Sequence, residues 1–221
     1  TCLPKTAWPP TSLPAGWKIE QKIATVDAST FQMYLTNLKP LFVEMVKGAE
    51  LVLFNRCEDR GPLAGYRRSV KVVSPQAEVI FEDENGEVDN IFEDEVPYDL
   101  NAPVIEIRRE DYGIWYVDMM DNPDRYDGVT VRYKAVMCHS KKFKGVHCPG
   151  RFAMVCCEND MQFLALVAKG EGLERFKNRQ WVEITATVKK EANDAYQGEG
   201  PVLHVTAIAP CEKPKEEVVS F

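Results

Sequence analysis

The sequence predicts a β-rich α+β protein in which an OB-like five-stranded barrel is preceded by a smaller α+β domain. Strand-like runs dominate the second half, and one short helical segment falls between the third and fourth of them, which is the order of an OB fold. Helical and strand-like segments alternate in the first half. The 221 residues, with 45% hydrophobic content, are enough for two domains of roughly 100 residues each.

The first hundred residues are predicted as a leader followed by the smaller domain. Residues 1–17 contain four prolines and no regular apolar spacing, which is typical of an extended leader or linker. Residues 18–100 are assigned to the N-terminal α+β domain, in which an apolar repeat at helical spacing is interrupted at Pro40 and ends before Gly48. Strands are predicted at 18–26, 50–56 and 67–73, and a hairpin at 78–92 with a type I′ turn at Asn85-Gly86.

Residues 101–210 are predicted to form the OB-like domain together with a helix that leads into it. The helix Asp111–Met120 is amphipathic and ends at Asn122-Pro123. The predicted barrel segments are the strands Val129–Cys138, Phe152–Cys157, Phe163–Ala168, Trp181–Lys189 and Val202–Ile208, with the short helix at Leu173–Lys177. The tail 211–221 is charged and broken by proline, so we expect it to be loose or to pack late.

Thiols and imidazoles concentrate in one short part of the barrel sequence. Four of the seven cysteines and two of the three histidines lie between Cys138 and Cys157. Zinc takes four ligands from Cys, His and carboxylate side chains, so this composition indicates a metal site. The candidate ligands are Cys156, Cys157, Asp160, His147 and Cys148, with Cys138, His139 and Arg151 as secondary candidates.

Strand geometry divides these candidates into two groups. One consists of Cys138, His139, His147 and Cys148, and the other of Cys156, Cys157 and Asp160. If the first two barrel strands pair as a hairpin, Cys138 and Cys157 lie at opposite ends, more than about 10 Å apart at roughly 3.3 Å per residue. Adjacent cysteines on a regular strand also face opposite sides, so one ion bound by both would need a bulge or a strand end. Other interpretations stay open: cysteines packed as small hydrophobes, a Cys138–Cys148 disulfide, and an Arg151–Asp160 ion pair.

Charge and motifs narrow the function classes. A formal net charge of −7 and a pI near 5.2 disfavour a nucleic-acid partner, because binding to phosphates relies on Lys and Arg. No apolar run is long enough to span a membrane, although the chain begins at Thr1 and an upstream anchor can have been removed. No Cys-x-x-Cys, nucleotide loop or catalytic triad is recognisable, so a non-enzymatic role is favoured and thiol exchange ranks last.

Several segments from Val104 onward resemble a known bacterial family. They are Ile-Glu-Ile-Arg-Arg-Glu-Asp-Tyr, Asn-Pro-Asp-Arg-Tyr-Asp-Gly, Pro-Gly-Arg-Phe-Ala-Met-Val-Cys-Cys-Glu-Asn-Asp and Pro-Val-Leu-His-Val-Thr-Ala-Ile. The chain is similar here to the C-terminal soluble domain of the membrane-anchored subunit of a two-component permease. The most specific part is the Met-x-Cys-Cys-x-x-Asp motif at Met154, Cys156, Cys157 and Asp160. The resemblance implies a permease partner, attachment through N-terminal transmembrane helices, and an extracytoplasmic soluble domain, with a cytoplasmic location as the alternative.

Two functions follow from these observations. The first is a non-enzymatic, membrane-associated accessory subunit that binds a metal ion, with zinc as the cofactor, or a metal-bearing substrate for its permease. The alternative is an OB-type module that binds a protein, peptide or glycan and whose cysteines are structural.

Overall fold

The protein is mixed α+β and rich in strands. A computed structural model of the chain describes residues 14–88, 96–140, 143, 145–154 and 161–219. The described strands form a four-stranded sheet in the first half and an eight-stranded sheet in the second. None of the helices in this part of the chain has the length and apolar content that crossing a bilayer requires.

The first sheet is built mainly from parallel strands connected by helices. Its elements are β1 (Ile23–Asp27), α1 (Ala28–Asn37), α2 (Lys39–Val46), β2 (Leu51–Asn55), α3 (Leu63–Val73), β3 (Glu78–Asp83) and β4 (Gly86–Glu87). The strand order is β1-β2-β3-β4, with β1, β2 and β3 parallel and β4 antiparallel to β3. Parallel neighbours need a crossover connection, and the helices provide it.

Local sequence explains where the first helices begin and end. The Asp27 side chain caps α1 by accepting from the Ser29 backbone N–H at 3.0 Å. Pro40 occupies the first turn of α2, where its missing N–H costs nothing. Gly48 adopts a positive φ of 73° after that helix, as predicted. Phe31 on α1 packs edge-on against Phe54 of β2, which ties the helix to the sheet.

Two predictions in this half are wrong. The run Arg67–Val73 was predicted as a strand because of its valines, but it lies in α3, where Leu63, Tyr66, Val70 and Val73 are buried at helical spacing. Asp83 pairs with Gly86, so the two turn residues are Glu84 and Asn85 rather than Asn85 and Gly86. The rest of that predicted hairpin, 89–92, lies outside the described residues.

The second sheet forms the larger half. Its elements are β5 (Ile105–Glu106), α4 (Tyr112–Asp121), a 3-10 helix (Pro123–Tyr126), β6 (Thr130–Val136), β7 (Gly150–Met154), β8 (Met161–Ala165), β9 (Val167–Lys169), a 3-10 helix (Leu173–Arg175), β10 (Trp181–Asn193), β11 (Gly198–Pro210) and β12 (Val218–Val219). Six described strands follow the order β12-β7-β6-β10-β11-β9 in a nearly closed, barrel-like sheet. In addition, β5 pairs with β6 and β8 with β7. β8 is followed almost directly by β9, which pairs with β11. The segment formed by β8 and β9 therefore bridges β7 and β11.

The barrel differs from its prediction at two places. The predicted strand 163–168 is divided into β8 and β9, and the path contains six strands rather than five. The tail was predicted to be loose or to pack late, and Val218–Val219 pairs in parallel with Phe152–Ala153 of β7. Two arginines hold the tail there: Arg109 donates to the Val218 carbonyl and Arg151 to the carbonyls of residues 216 and 217.

Both sheets contribute to one cluster of buried apolar side chains. Helices α3 and α4 meet where the halves join, and Asp121 on α4 forms ion pairs with Arg67 and, at 3.3 Å, with Lys71 on α3. The two halves are therefore packed together in the described part of the chain. The domain boundaries drawn from the sequence stay predictions.

Candidate functional site

The hairpin between β6 and β7 continues past its strands and places four predicted residues at the base of its loop. His139 forms an antiparallel bridge with His147. The Cys148 N–H donates to the Cys138 carbonyl at 2.7 Å, and the Ser140 N–H donates to the Val146 carbonyl at 2.9 Å. In this register Cys138 lies opposite Cys148 and His139 opposite His147. These four residues are called the loop base below.

The two imidazoles of the loop base are in direct contact. The Nδ1 atoms of His139 and His147 are 2.7 Å apart, and His139 Nε2 lies 2.6 Å from the Phe176 carbonyl oxygen. A carbonyl can only accept, so Nε2 of His139 carries a proton. In the neutral ring its Nδ1 is then an unprotonated acceptor, and His147 Nδ1 donates to it.

Neighbouring elements fix the backbone of both histidines. The His139 N–H donates to the Asn178 side-chain oxygen at 2.7 Å, and the His147 carbonyl accepts from the Ala168 N–H of β9 at 2.8 Å. Burial lowers the pKa of His147, His139 lowers it further, and Glu174 acts in the opposite direction. The neutral imidazole, which is the form that binds metals, is therefore favoured near neutral pH.

The two thiols occupy the other side of the same ladder. Side chains alternate along an extended chain, so Cys138 and Cys148 face away from the imidazoles. Cys148 interacts electrostatically with Tyr133 and Tyr196 of the barrel, whereas His147 interacts with Glu174. Both thiols are free and partly buried. Burial raises the pKa of Cys148 to about 11, with a further contribution from Cys138.

In the described part of the chain, the loop base thus presents its candidate ligands as two pairs, the imidazoles of His139 and His147 on one side of the ladder and the thiols of Cys138 and Cys148 on the other. Within the described ranges, no group of three or more His, Cys, Asp and Glu side chains is arranged to hold a metal ion. Cys156, Cys157 and Asp160 lie outside the described residues, so their part of the predicted site stays a prediction. The predicted Arg151–Asp160 ion pair falls outside for the same reason.

Arg151, a secondary candidate, has a structural environment. It is buried, with 4% of its surface exposed, and its guanidinium lies 5.1 Å from the centre of the Trp181 ring. Its Nη2 donates to the carbonyls of Glu216 and Glu217 at 3.2 and 3.3 Å. Arg151 therefore attaches the tail to β7.

Three features of the site were missed in the sequence. The Phe176 carbonyl and the Asn178 amide orient His139, but a backbone oxygen gives no sequence signal. A cleft of about 550 Å³ also lies beside the loop, between it and the turn that joins β10 to β11. Its lining consists of Phe143, Val146, Ala192, Asn193, Asp194, Gln197 and Gly198. The Asn-Asp pair and the glycine of this turn are typical turn residues, but they carry no signal of its position against the loop.

A comparison with protein families identifies the second half. The sequence profile described as the DUF1980 C-terminal domain matches residues 84–219. The chain belongs to this family. The DUF1980 match agrees with the resemblance drawn from the barrel segments. It begins after β3 and includes the whole barrel and the loop base. A comparison with curated proteins found no match.

Proposed function

We propose that the protein is a non-enzymatic accessory domain that binds a metal ion, with zinc as the first candidate, through the two histidines of the loop base. The supporting observation is the His139–His147 pair, in which two Nδ1 atoms face each other at 2.7 Å. The same function includes a metal-bearing substrate. An accessory subunit would bind such a substrate when its ion contacts these two nitrogens.

The two imidazoles need to move only slightly to bind a metal ion. Zinc binds imidazole nitrogen at about 2.0–2.1 Å, so two nitrogens on a tetrahedral ion are about 3.3 Å apart. Small rotations of the two rings provide that separation. The proton shared between the Nδ1 atoms is released when the ion replaces it, which makes binding weaker at low pH.

The surroundings of His139 match those of metal-binding histidines. Such histidines usually donate their other ring N–H to a carboxylate or a backbone carbonyl, which fixes the tautomer and the ring orientation. His139 Nε2 contacts the Phe176 carbonyl at 2.6 Å in this way. Two histidines leave open positions on the ion for water or for a bound substrate.

A membrane permease partner and an extracytoplasmic position beside a membrane complete the proposal. They rest on the resemblance of the barrel segments; the family match gives the DUF1980 C-terminal domain and indicates neither a partner nor a location.

Zinc titration of the whole chain by calorimetry tests the metal site. His147→Asn retains a donor near the Nδ1 position, and His139→Gln retains a donor near the Nε2 position, so each removes a ligand with little change in packing. We expect each to weaken zinc binding more than about 100-fold, beyond the 10–100-fold typical of losing a supporting contact. His204→Gln is the matched control, because this third histidine lies on β11 and contacts Glu191 instead.

Each result of the titration has a defined meaning. A wild-type chain that binds no zinc refutes the metal-binding function. Binding that survives both loop-base variants, but is lost in Cys156→Ser or Cys157→Ser, keeps the function and moves the site to the other predicted group. Equal losses in the two loop-base variants and the His204 control would refute the assignment to the loop base.

A second candidate function is an OB-type binding module for a glycan, peptide or protein. This candidate rests on the strand pairing. The order runs β6-β7-β8/β9-β11-β10, β10 returns to β6, and β9 is parallel to β11, which gives a small, nearly closed barrel of the class that includes OB folds. OB folds bind ligands at the loops between strands 1 and 2 and strands 4 and 5, which correspond here to the two walls of the 550 Å³ cleft.

Chemical shift perturbation with small glycans and peptides tests the second candidate. Ligands of this function should shift amide signals of Asn193, Asp194 and Gln197, and Phe143→Ala should weaken their binding. Shifts confined to the opposite side of the barrel would refute it.

A further inference from the structure

Cys138 and Cys148 are placed so that a covalent bond can join them. The 2.7 Å hydrogen bond from the Cys148 N–H to the Cys138 carbonyl, next to the His139–His147 bridge, makes them directly opposed residues of an antiparallel ladder. This hydrogen bond puts the two cysteines at a hydrogen-bonded position of the ladder, where opposed Cα atoms are about 5.5 Å apart and Cβ atoms lie near the upper end of the range of about 4.5–5.5 Å. A disulfide requires about 3.5–4.5 Å between Cβ atoms and about 4.4–6.8 Å between Cα atoms. The Cα separation therefore suits a disulfide, and the Cβ atoms must approach each other by roughly 1 Å.

The other described cysteines have different surroundings. Cys57 is buried after β2, where its thiol donates to the Phe54 carbonyl. Cys211 follows β11, and its pKa is affected by Lys134, Glu183 and Arg151 rather than by another thiol. Both are free, and they serve as matched controls for the opposed pair.

We infer that Cys138 and Cys148 form a redox-active dithiol, whose disulfide is made by exchange with a low-molecular-weight disulfide and closes the loop at its base. This site is independent of the proposed metal function, because the thiols and the imidazoles lie on opposite sides of the ladder.

The reaction is a two-step thiol–disulfide exchange. One protein thiol gives its proton to solvent and attacks one sulfur of the oxidant, the S–S bond of the oxidant breaks, and one thiolate leaves and takes up a proton. The opposed protein thiol then gives its proton to solvent and attacks the protein sulfur of the mixed disulfide, which expels the second thiolate; this thiolate takes up a proton in turn. The two protein thiols lose two electrons and two protons, and the oxidant becomes two thiols.

Either thiol starts this sequence. Once the mixed disulfide has formed, the second thiol lies opposite the sulfur that it must attack, because the two residues are paired across the ladder. This proximity favours closure of the intramolecular bond.

The bond would fix the part of the loop that contains the histidines. It closes a ring over residues 138–148 and adds a covalent link beside the His139–His147 bridge. The amides of Ser140 and Cys148, which form the hydrogen bonds on either side of that bridge, should exchange more slowly with solvent in the oxidised form.

The test is oxidation of the reduced whole chain by oxidised glutathione in the presence of a metal chelator. After alkylation of the remaining thiols, peptide mass spectrometry should find a Cys138–Cys148 cross-link in the wild type and in the controls Cys57→Ser and Cys211→Ser. Cys148→Ser should accumulate glutathione on Cys138, and Cys138→Ser should accumulate it on Cys148, because each variant lacks the opposed thiol that resolves the mixed disulfide.

Two results would overturn the inference. One is a wild-type chain without the Cys138–Cys148 cross-link, including one that joins Cys156 to Cys157 or to another cysteine instead. The other is glutathione that accumulates on the wild type to the same extent as on Cys138→Ser and Cys148→Ser, which would contradict resolution of the mixed disulfide by the opposed thiol. The wild-type measurement needs no variant to fold, and the chelator keeps its result separate from zinc binding.

Discussion

Gly150 is the point where the loop base is attached to the barrel, and Gly150→Ala is predicted to displace it. Gly150 pairs with Val136 on β6 and with Ala165 on β8. A Cβ at this position would lie 2.3 Å from the Leu164 carbonyl oxygen and 2.6 Å from Ala165 Cβ. Ordinary contacts require more than 3.4 Å, so β7 and β8 must separate by about 1 Å at a position two residues from Cys148.

The expected cost follows from this overlap. Overpacking a well-packed site costs about 1–3 kcal/mol, and a backbone oxygen among the contacts places Gly150→Ala near the upper end of that range. For a chain of this size each kcal/mol lowers the melting temperature by about 2–4 °C, so a decrease of about 4–10 °C is expected. Zinc affinity should fall together with stability, by about 10–100-fold, because the support of the histidines is displaced.

Gly198→Ala is the matched control for this substitution. Gly198 lies on the same barrel, at the start of β11, and an added Cβ would meet no atom within 4 Å. Its free energy of unfolding should stay within about 0.5 kcal/mol of the wild type. Urea denaturation and zinc calorimetry on both variants provide the assay. Equal stability and equal zinc affinity of the two variants would refute the role given to the β7–β8 contact.

Three further predictions concern the barrel and its tail. Tyr126→Phe removes a buried hydroxyl that donates to Asp118 and should destabilise the chain by about 2 kcal/mol, the value of a hydrogen bond to a charged group, as measured by urea denaturation. The pKa of His147 is lowered on folding, so the unfolded chain binds the proton first as the pH falls. The free energy of unfolding should therefore decrease below about pH 6.5. In His147→Asn, urea denaturation at several pH values should show a weaker pH dependence. Arg151→Met removes the donors that hold the tail and should increase hydrogen exchange at Val218–Val219, and unchanged exchange would contradict the attachment.

Short-range signals in the sequence predicted most elements, and their failures have physical causes. A capping Asp27, a Pro40 in a first turn and a Gly48 with positive φ are local features, and each marks its boundary in the structure. The helix α3 was missed because valine favours strands, whereas its burial against the parallel sheet depends on tertiary contacts. The tail strand was missed because its partners, Arg109 and Arg151, are distant in sequence.

The loop base illustrates the limit of prediction for the site. Hairpin geometry separated Cys138, His139, His147 and Cys148 from the other candidates, and the structure brings these four together. Which residues face each other depends on the register, since a slip of one residue would have placed Cys138 opposite His147. The sequence does not determine that register, because it depends on how the loop turns. Likewise, the contact of His139 with Phe176 comes from a segment 37 residues away.

Nitrogen-15 NMR of the histidine side chains during zinc titration tests the central claim most directly. Without zinc, His139 should be the tautomer with its proton on Nε2, as its contact with the Phe176 carbonyl requires. One equivalent of zinc should shift the Nδ1 resonances of both His139 and His147 and leave His204 unchanged. Zinc-independent Nδ1 resonances at both loop-base histidines, or a shift at His204 alone, would contradict a metal site at the loop base.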